Sequence, residues 1–285
     1  MRSSLQRFWL IAVGAALVGA LPATASAQTK LEARYTAALA GIPLGTGTWV
    51  IDLSADQYTA VASGHTTGLV RLISTGEGSS GAKGMIQGSN VVSFGYISNT
   101  VTDKRIDEVR MGLQGGVVKD VVAIPPLEPS PDRVPVTDAH RKGVVDPMSA
   151  MLMPVAGKGE VLSPEACRRR LAIFDGRQRA DLELVYKRMD QVRADKGYAG
   201  AVVVCTVLYR PVAGHRPERA AIKYLVEQRD MEIWLAPIGT TRVLVPFRFS
   251  VPTPFGLGTL QATYFVANEM PTQALRQSPA SAKTQ

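Results

Sequence analysis

The chain has 285 residues, 46% of them hydrophobic, with two cysteines and a formal net charge of +8. That content suffices for a buried core, and the length fits one large domain or two small ones. The positive balance favours anionic partners, and the absence of any C-x-x-C pair removes support for a redox motif or a zinc knuckle.

Taken in order, the chain opens with Arg2 and Arg7, an apolar run from Phe8 to Leu21, and then Ala25-Ser26-Ala27. This is the order of a secretory signal peptide, and it predicts a leader over 1–27 cleaved after Ala27. A membrane anchor is the rival reading, but the uninterrupted apolar core is short for a span of about 20 residues. No cysteine sits at the cleavage point, so a lipid anchor is not indicated. No later run approaches spanning length, so the mature protein is expected to be soluble and periplasmic, without a transmembrane segment. Loss of Arg2 and Arg7 lowers the net charge from +8 to +6, and export argues against nucleic acid as a partner.

From Leu31 onward, short alternating runs are punctuated by Gly and Asx residues. Ala33, Tyr35, Ala37 and Leu39 alternate with polar or small residues, and Gly41 to Gly45 reads as a turn. Strands follow around Trp49–Leu53, Tyr58–Gly64 and Leu69–Thr75, the signature of an antiparallel meander, sandwich or barrel. Gly76 to Gly81 fits G-x-G-x-x-G letter for letter, yet no helix can open after it, as a dinucleotide site requires. It reads as a flexible turn. Val91–Asn99, Ile106–Leu113 and Val117–Ile124 read as further strands, the last two joined at Gly115-Gly116. Pro125, Pro126, Pro129, Pro131 and Pro135 then predict an extended loop over 125–145, a flap or a crossover.

Asp146 is a good N-cap and Pro147 suits the first position of a helix, predicted over 147–153. Met148, Met151 and Leu152 share one face of it. They read as core filler beneath a curved sheet, or alternatively as a soft wall for an apolar ligand.

The block from Ala166 to Pro211 holds both cysteines. In an oxidising compartment Cys167 and Cys205 are expected to form a disulfide. Asp175-Gly176 between apolar flanks is a hairpin signal. Residues 178–195 fit helical and alternating periods alike, and a long strand is the preferred reading. Ala201 to Tyr209 is a nearly pure run of β-formers. Strands are also predicted over Ala221–Gln228, Met231–Ala236, Arg242–Val251 and Leu257–Ala267. A single β domain over 28–271 and a disordered tail over 272–285 complete the organisation.

Signals of chemistry are sparse. His65, His140 and His215 lie in no metal-binding spacing, and no G-x-S-x-G elbow is present. No catalytic, cofactor-binding or metal-binding residue is therefore assigned. Arg168, Arg170, Arg177 and Arg179 form a candidate anion patch that could hold a phosphate or carboxylate, or serve as a solvated edge. Asp175, Asp181 and Glu183 are plausible partners for those arginines.

Three stretches carry a resemblance: Tyr35 through Gly47, the Asp146-Pro147-x-Ser149-Ala150 segment, and Phe174-Asp175-Gly176-Arg177-x-Arg179-x-Asp181-Leu182 followed by Cys205. On these the chain resembles a family of exported proteobacterial proteins with a domain of unknown function, common in α-proteobacteria. The resemblance implies a periplasmic, mostly antiparallel β protein and supplies no catalytic residues. The expected architecture is a curved, partly closed antiparallel sheet, half-barrel-like, with one short helix. The expected role is non-enzymatic, binding a lipid or other amphipathic ligand or an envelope partner. The alternatives are a hydrolase or transferase acting on envelope polymers through Asp175, Asp181 or His215, and a purely structural assembly module.

Overall fold

The computed structural model describes residues 28–68 and 75–270. The expected leader over 1–27, the tail over 272–285 and nearly all of the strand expected at 69–75 lie outside the described residues.

The alternating runs form one sheet. β1 (Gln28–Leu39), β2 (Ile42–Leu53), β3 (Gln57–Thr66), β4 (Gly76–Gln87), β5 (Asn90–Thr102), β6 (Arg105–Gln114) and β7 (Val117–Ile124) make a meander, each strand antiparallel to the next. On the other side of β1 the sheet continues through five further strands in reverse chain order. These are β15 (Gly256–Met270), β14 (Val243–Thr253), β13 (Glu232–Pro237), β12 (Ala199–Ala213) and β10 (Arg179–Arg193), and β9 (Arg169–Phe174) forms the last edge. Two short strands lie off this path: β8 (Met153–Pro154) pairs with β14, and β11 (Lys196–Gly197) runs parallel to β15. The protein is mainly β, and the expected curved antiparallel sheet is what the chain forms.

The two edges, β7 and β9, do not pair with each other. Residues 142–145 lie between them and bridge both: Lys142 pairs antiparallel with Val117, and Val145 pairs in parallel with Ile173. The Val144 amide donates to Gly116 O (2.9 Å), the Val145 amide to Ala172 O (2.9 Å), and the Phe174 amide to Val145 O (3.0 Å). The proline-rich segment thus supplies the splint that partly closes the sheet. Gly143 sits within it at φ +64°, a left-handed conformation that glycine adopts without steric cost.

Two apolar clusters lie on opposite faces of the sheet. The inner one gathers Leu31, Tyr35, Trp49, Ile51, Tyr58, Phe174, Trp234 and Phe247, with Tyr198 and Phe265 ringed around Phe247 at 5.5–6.3 Å between centroids. The other gathers Cys167, Leu184, Met231, Ile233, Leu235 and Leu244. Alternation along β12 sends Val202 and Val204 to the first and Val203, Cys205 and Val207 to the second. A strand buried on both faces must be apolar throughout, which accounts for the run 201–209.

Several expectations need correction. The helix predicted over 147–153 is a single 3-10 turn at Ser149–Met151, because Met153 and Pro154 leave it to pair with Leu244 and Val243. So short a segment gains too little from helical hydrogen bonds to resist that pairing. The one α-helix among the described residues, α1 (Ala220–Glu227), occupies a stretch predicted as a strand. Its period was ambiguous over so few residues, and Leu225 packs against the second cluster. Gly76 to Gly81 is not a turn but lies within β4, paired on both sides. The turn predicted over Gly41 to Gly45 is confined to Ala40–Gly41, and β2 has already begun at Ile42. Residues 178–195 do form a long strand, β10, over most of their length.

Asp146 keeps its capping role although the helix shrinks. Its Oδ1 accepts the amides of Met148 (3.0 Å) and Ser149 (2.9 Å), and its Oδ2 accepts the hydroxyls of Ser93 and Ser149. The Ser149 proton is thereby committed, so Tyr58 donates to Ser149 Oγ at 2.6 Å. Burial pushes the Tyr58 phenol well above its ordinary range, which keeps it protonated and a donor. Asp146 and Ser149 are fully buried. Gly84 makes room for the network: a Cβ there would lie 2.6 Å from Tyr58 Oη.

Cys167 ends the 3-10 turn Pro164–Cys167 and is bonded to Cys205 of β12, with Cα atoms 5.5 Å apart. Replacing both cysteines by alanine is expected to lower stability by about 3–4 kcal/mol through the freed loop entropy, read as a lower urea midpoint. An unchanged midpoint would contradict this. Asp146→Ala strands two amides and two hydroxyls inside the core and is expected to cost about 3–5 kcal/mol in the same assay. Asp138→Ala, at a side chain 93% exposed, is expected to change stability by less than about 0.5 kcal/mol. Equal effects of the two variants would refute the network's role.

Candidate functional site

The seam between the sheet edges opens into a cleft of about 670 Å³, within the usual size range for small-molecule sites. One wall is the β4–β5 turn with the start of β5 (Ser89–Val92). The second is the splint Gly143–Val145, with Ser149 and Leu152 buried behind it, and the third is Arg168 to Ala172 at the start of β9. Gly115 and Gly116, both at positive φ, form part of the rim.

Arg169 is the unusual group in this wall. Its Nε donates to Ala166 O (2.9 Å), its Nη1 to Ser89 O (3.3 Å) and its Nη2 to Pro154 O. Three carbonyls thus hold the guanidinium, and among the described residues no carboxylate pairs with it. Burial alone pulls its pKa down, yet an arginine stays charged at any physiological pH. The result is a fixed, partly buried positive charge offset only by peptide dipoles. Arg168 and Arg170 flank it with exposed side chains. Arg168 lies 3.9 Å from Glu165, which also borders the cleft, and Arg170 lies 3.4 Å from Glu183 on β10.

The predicted site residues divide. Arg168 and Arg170 line the cleft together, whereas Leu152 lies behind its wall, buried in the inner core. Met148 and Met151 pack instead against the inner core, as filler. Arg177 and Arg179 do not join the patch. Arg177 donates to the carbonyls of Ile124 and Pro125 (2.9 Å each) and pairs with Asp107 (3.3 Å). Arg179 binds Asp181 (3.0 Å) and Lys142 O (3.1 Å). Both tie the β9–β10 hairpin to the segments around the seam, because the hairpin turn carries them past β9 to the opposite end of the short strand pair.

Arg169 was not among the candidate residues. The signal that could have found it is strand alternation, which sets the middle of three adjacent arginines on the face opposite its neighbours.

The residues weighed for catalysis are engaged elsewhere. Asp175 Oδ1 accepts the amides of Arg177 (2.8 Å) and Gln178 (2.6 Å), closing the hairpin turn. Asp181 is held by Arg179. His215 is buried with Nδ1 unpartnered, its carbonyl accepts the Val134 amide (3.0 Å), and burial pushes its imidazole below the usual range, so it is neutral at pH 7. His65 lies 3.4 Å from Thr46 Oγ1 on the β2–β3 pair, and His140 caps its own 3-10 turn at Thr137. Among the described residues no group of three or more His, Cys, Asp or Glu side chains is arranged to hold a metal ion. No helix there is long and apolar enough to cross a membrane.

Comparison with known proteins adds a family but no activity. A solved β-barrel-like protein of the domain of unknown function DUF1849, from Brucella abortus, aligns over 85% of this chain and 99% of its own, at 12% identity and a TM-score of 0.44. No curated protein matches. The model of the DUF3108 family matches residues 34–263, from β1 to β15. The chain belongs to this family of proteins of unknown function.

Proposed function

We propose that the protein is an exported, non-enzymatic binding protein of the cell envelope whose seam cleft takes the anionic head of an amphipathic molecule. The observation that carries this reading is Arg169, a partly buried guanidinium fixed by three carbonyls and unpaired with any described carboxylate. A charge held in that way has already lost much of its hydration and its side-chain freedom. An incoming carboxylate or phosphate therefore gains a charge-assisted hydrogen bond at reduced entropic cost. Arg168 and Arg170 at the rim add attraction from solvent. Val92, Val155 and Leu171, each only partly buried, offer an apolar surface beside the charge for the ligand's chain. The Cys167–Cys205 disulfide supports export, since such bonds persist in oxidising compartments. The proline-rich segment stands beside the cleft as its splint.

The test is binding of 11-(dansylamino)undecanoate, followed by its emission. A blue shift that saturates is expected, with competition by dodecyl phosphate and at least about ten-fold weaker competition by neutral dodecyl maltoside. The exposed double substitution R168Q/R170Q should weaken binding about ten-fold without moving the urea midpoint. No emission change, or equal competition by the neutral detergent, would overturn the reading.

A further inference from the structure

We infer that the ligand of the seam cleft carries two anionic groups, the second of them held at Arg242 in an adjoining recess. This rests on the cleft reading above and names the kind of molecule the site takes. The recess has a volume of about 420 Å³, and Ala55, Ile86, Gly88, Val155, Ala156 and Arg242 are among the residues that border it. Val155 and Ala156 border the cleft as well, so one stretch of backbone is shared by the two spaces.

Arg242 repeats the arrangement of Arg169. Its Nε donates to Val155 O (3.0 Å), its Nη1 to Gly159 O (2.9 Å) and its Nη2 to Ala156 O (3.4 Å). Among the described residues no carboxylate forms an ion pair with it. The charges flanking Gly159, Lys158 and Glu160, are exposed and opposite in sign. Glu269 accepts the hydroxyl of Thr240, on the turn before Arg242, at 2.6 Å. A guanidinium has five N–H groups, so Arg169 and Arg242 each give three to carbonyls and keep two.

The two arginines grip consecutive residues, Arg169 through Pro154 O and Arg242 through Val155 O. Consecutive peptide oxygens lie within about 6 Å of each other. With one hydrogen bond at each end, the two gripping nitrogens stand no more than about 12 Å apart. Two fixed positive charges at that spacing favour a molecule charged at both ends over one charged at a single end. Val155, partly buried, and Ala156, exposed, offer apolar surface to a chain joining those ends. The ligand class is therefore a compact amphiphile with two phosphate or carboxylate groups roughly 10 Å apart.

The test is calorimetric titration with octyl phosphate, octyl diphosphate and octane-1,8-diyl bisphosphate, which share one alkyl chain. The last two both carry two phosphates and differ in whether these sit at one end or at both. The unmodified protein is expected to bind the two-ended probe at least about ten-fold more tightly than octyl diphosphate, because the second contact becomes intramolecular. R242Q should bring the two affinities to within about two-fold, with the urea midpoint reporting whether the variant folds. Since Arg242 also ties down a loop, the comparison of probes on the unmodified protein decides without the variant. Equal binding of the two doubly charged probes would overturn the inference and leave the cleft standing wherever octyl phosphate binds. An advantage that survives in folded R242Q would overturn it too, and binding of none of the probes would overturn both readings.

Discussion

The carboxylate of Asp146 is the group on which the arrangement of this molecule turns. Buried and satisfied by two amides and two hydroxyls, it fixes the 3-10 turn after the splint to Ser93 on β5 and, through Ser149, to Tyr58 on β3. A charge removed from water is tolerated only where its acceptor capacity is filled. Asp146 therefore specifies one position for the turn rather than merely adding stability. The splint at 142–145 is tethered directly before that anchor, and the splint is what links β7 to β9. Without it, a long curved sheet would present two open edges.

The cleft follows from the same constraint. A splint of a few residues covers only part of the gap between the edges, and the remainder is the space bordered by Arg168–Ala172 and the β4–β5 turn. The start of β9 lies there because the disulfide at Cys167 holds the preceding turn against β12. Arg169, the first residue of β9, then points toward carbonyls on the β4–β5 turn and on β8. Seam, staple and positive charge thus derive from one piece of covalent and hydrogen-bonded geometry.

Much of the fold was legible in the sequence, because alternation over five or more residues is a physical consequence of one buried face. Tyr35 to Leu39 and Trp49 to Leu53 read correctly for that reason, Val117 to Ile124 was marked by the Gly115-Gly116 turn before it, and the unbroken run at 201–209 announced a strand covered on both faces. Where a run was short, tertiary contacts decided. Met153-Pro154 left a nascent helix to pair with β14, and Ala220 to Glu227 became helix with little local pattern to declare it. The candidate site was legible only in part. The arginine cluster was visible, but its division into a cleft wall and a pair of hairpin ties depends on where the β9–β10 turn falls. The splint left no sequence pattern, because its two bridges are isolated and its partners lie far away in the chain.

Amide hydrogen exchange at the seam tests the central claim most directly. The amides of Val144, Val145 and Phe174 each cross from one strand edge or the splint to the other. If Asp146 holds the splint in place, these three should exchange as slowly as amides of the central strands, opening only with global unfolding. Exchange at the rate of exposed loop amides would mean that the edges are not joined in solution, and would contradict the account.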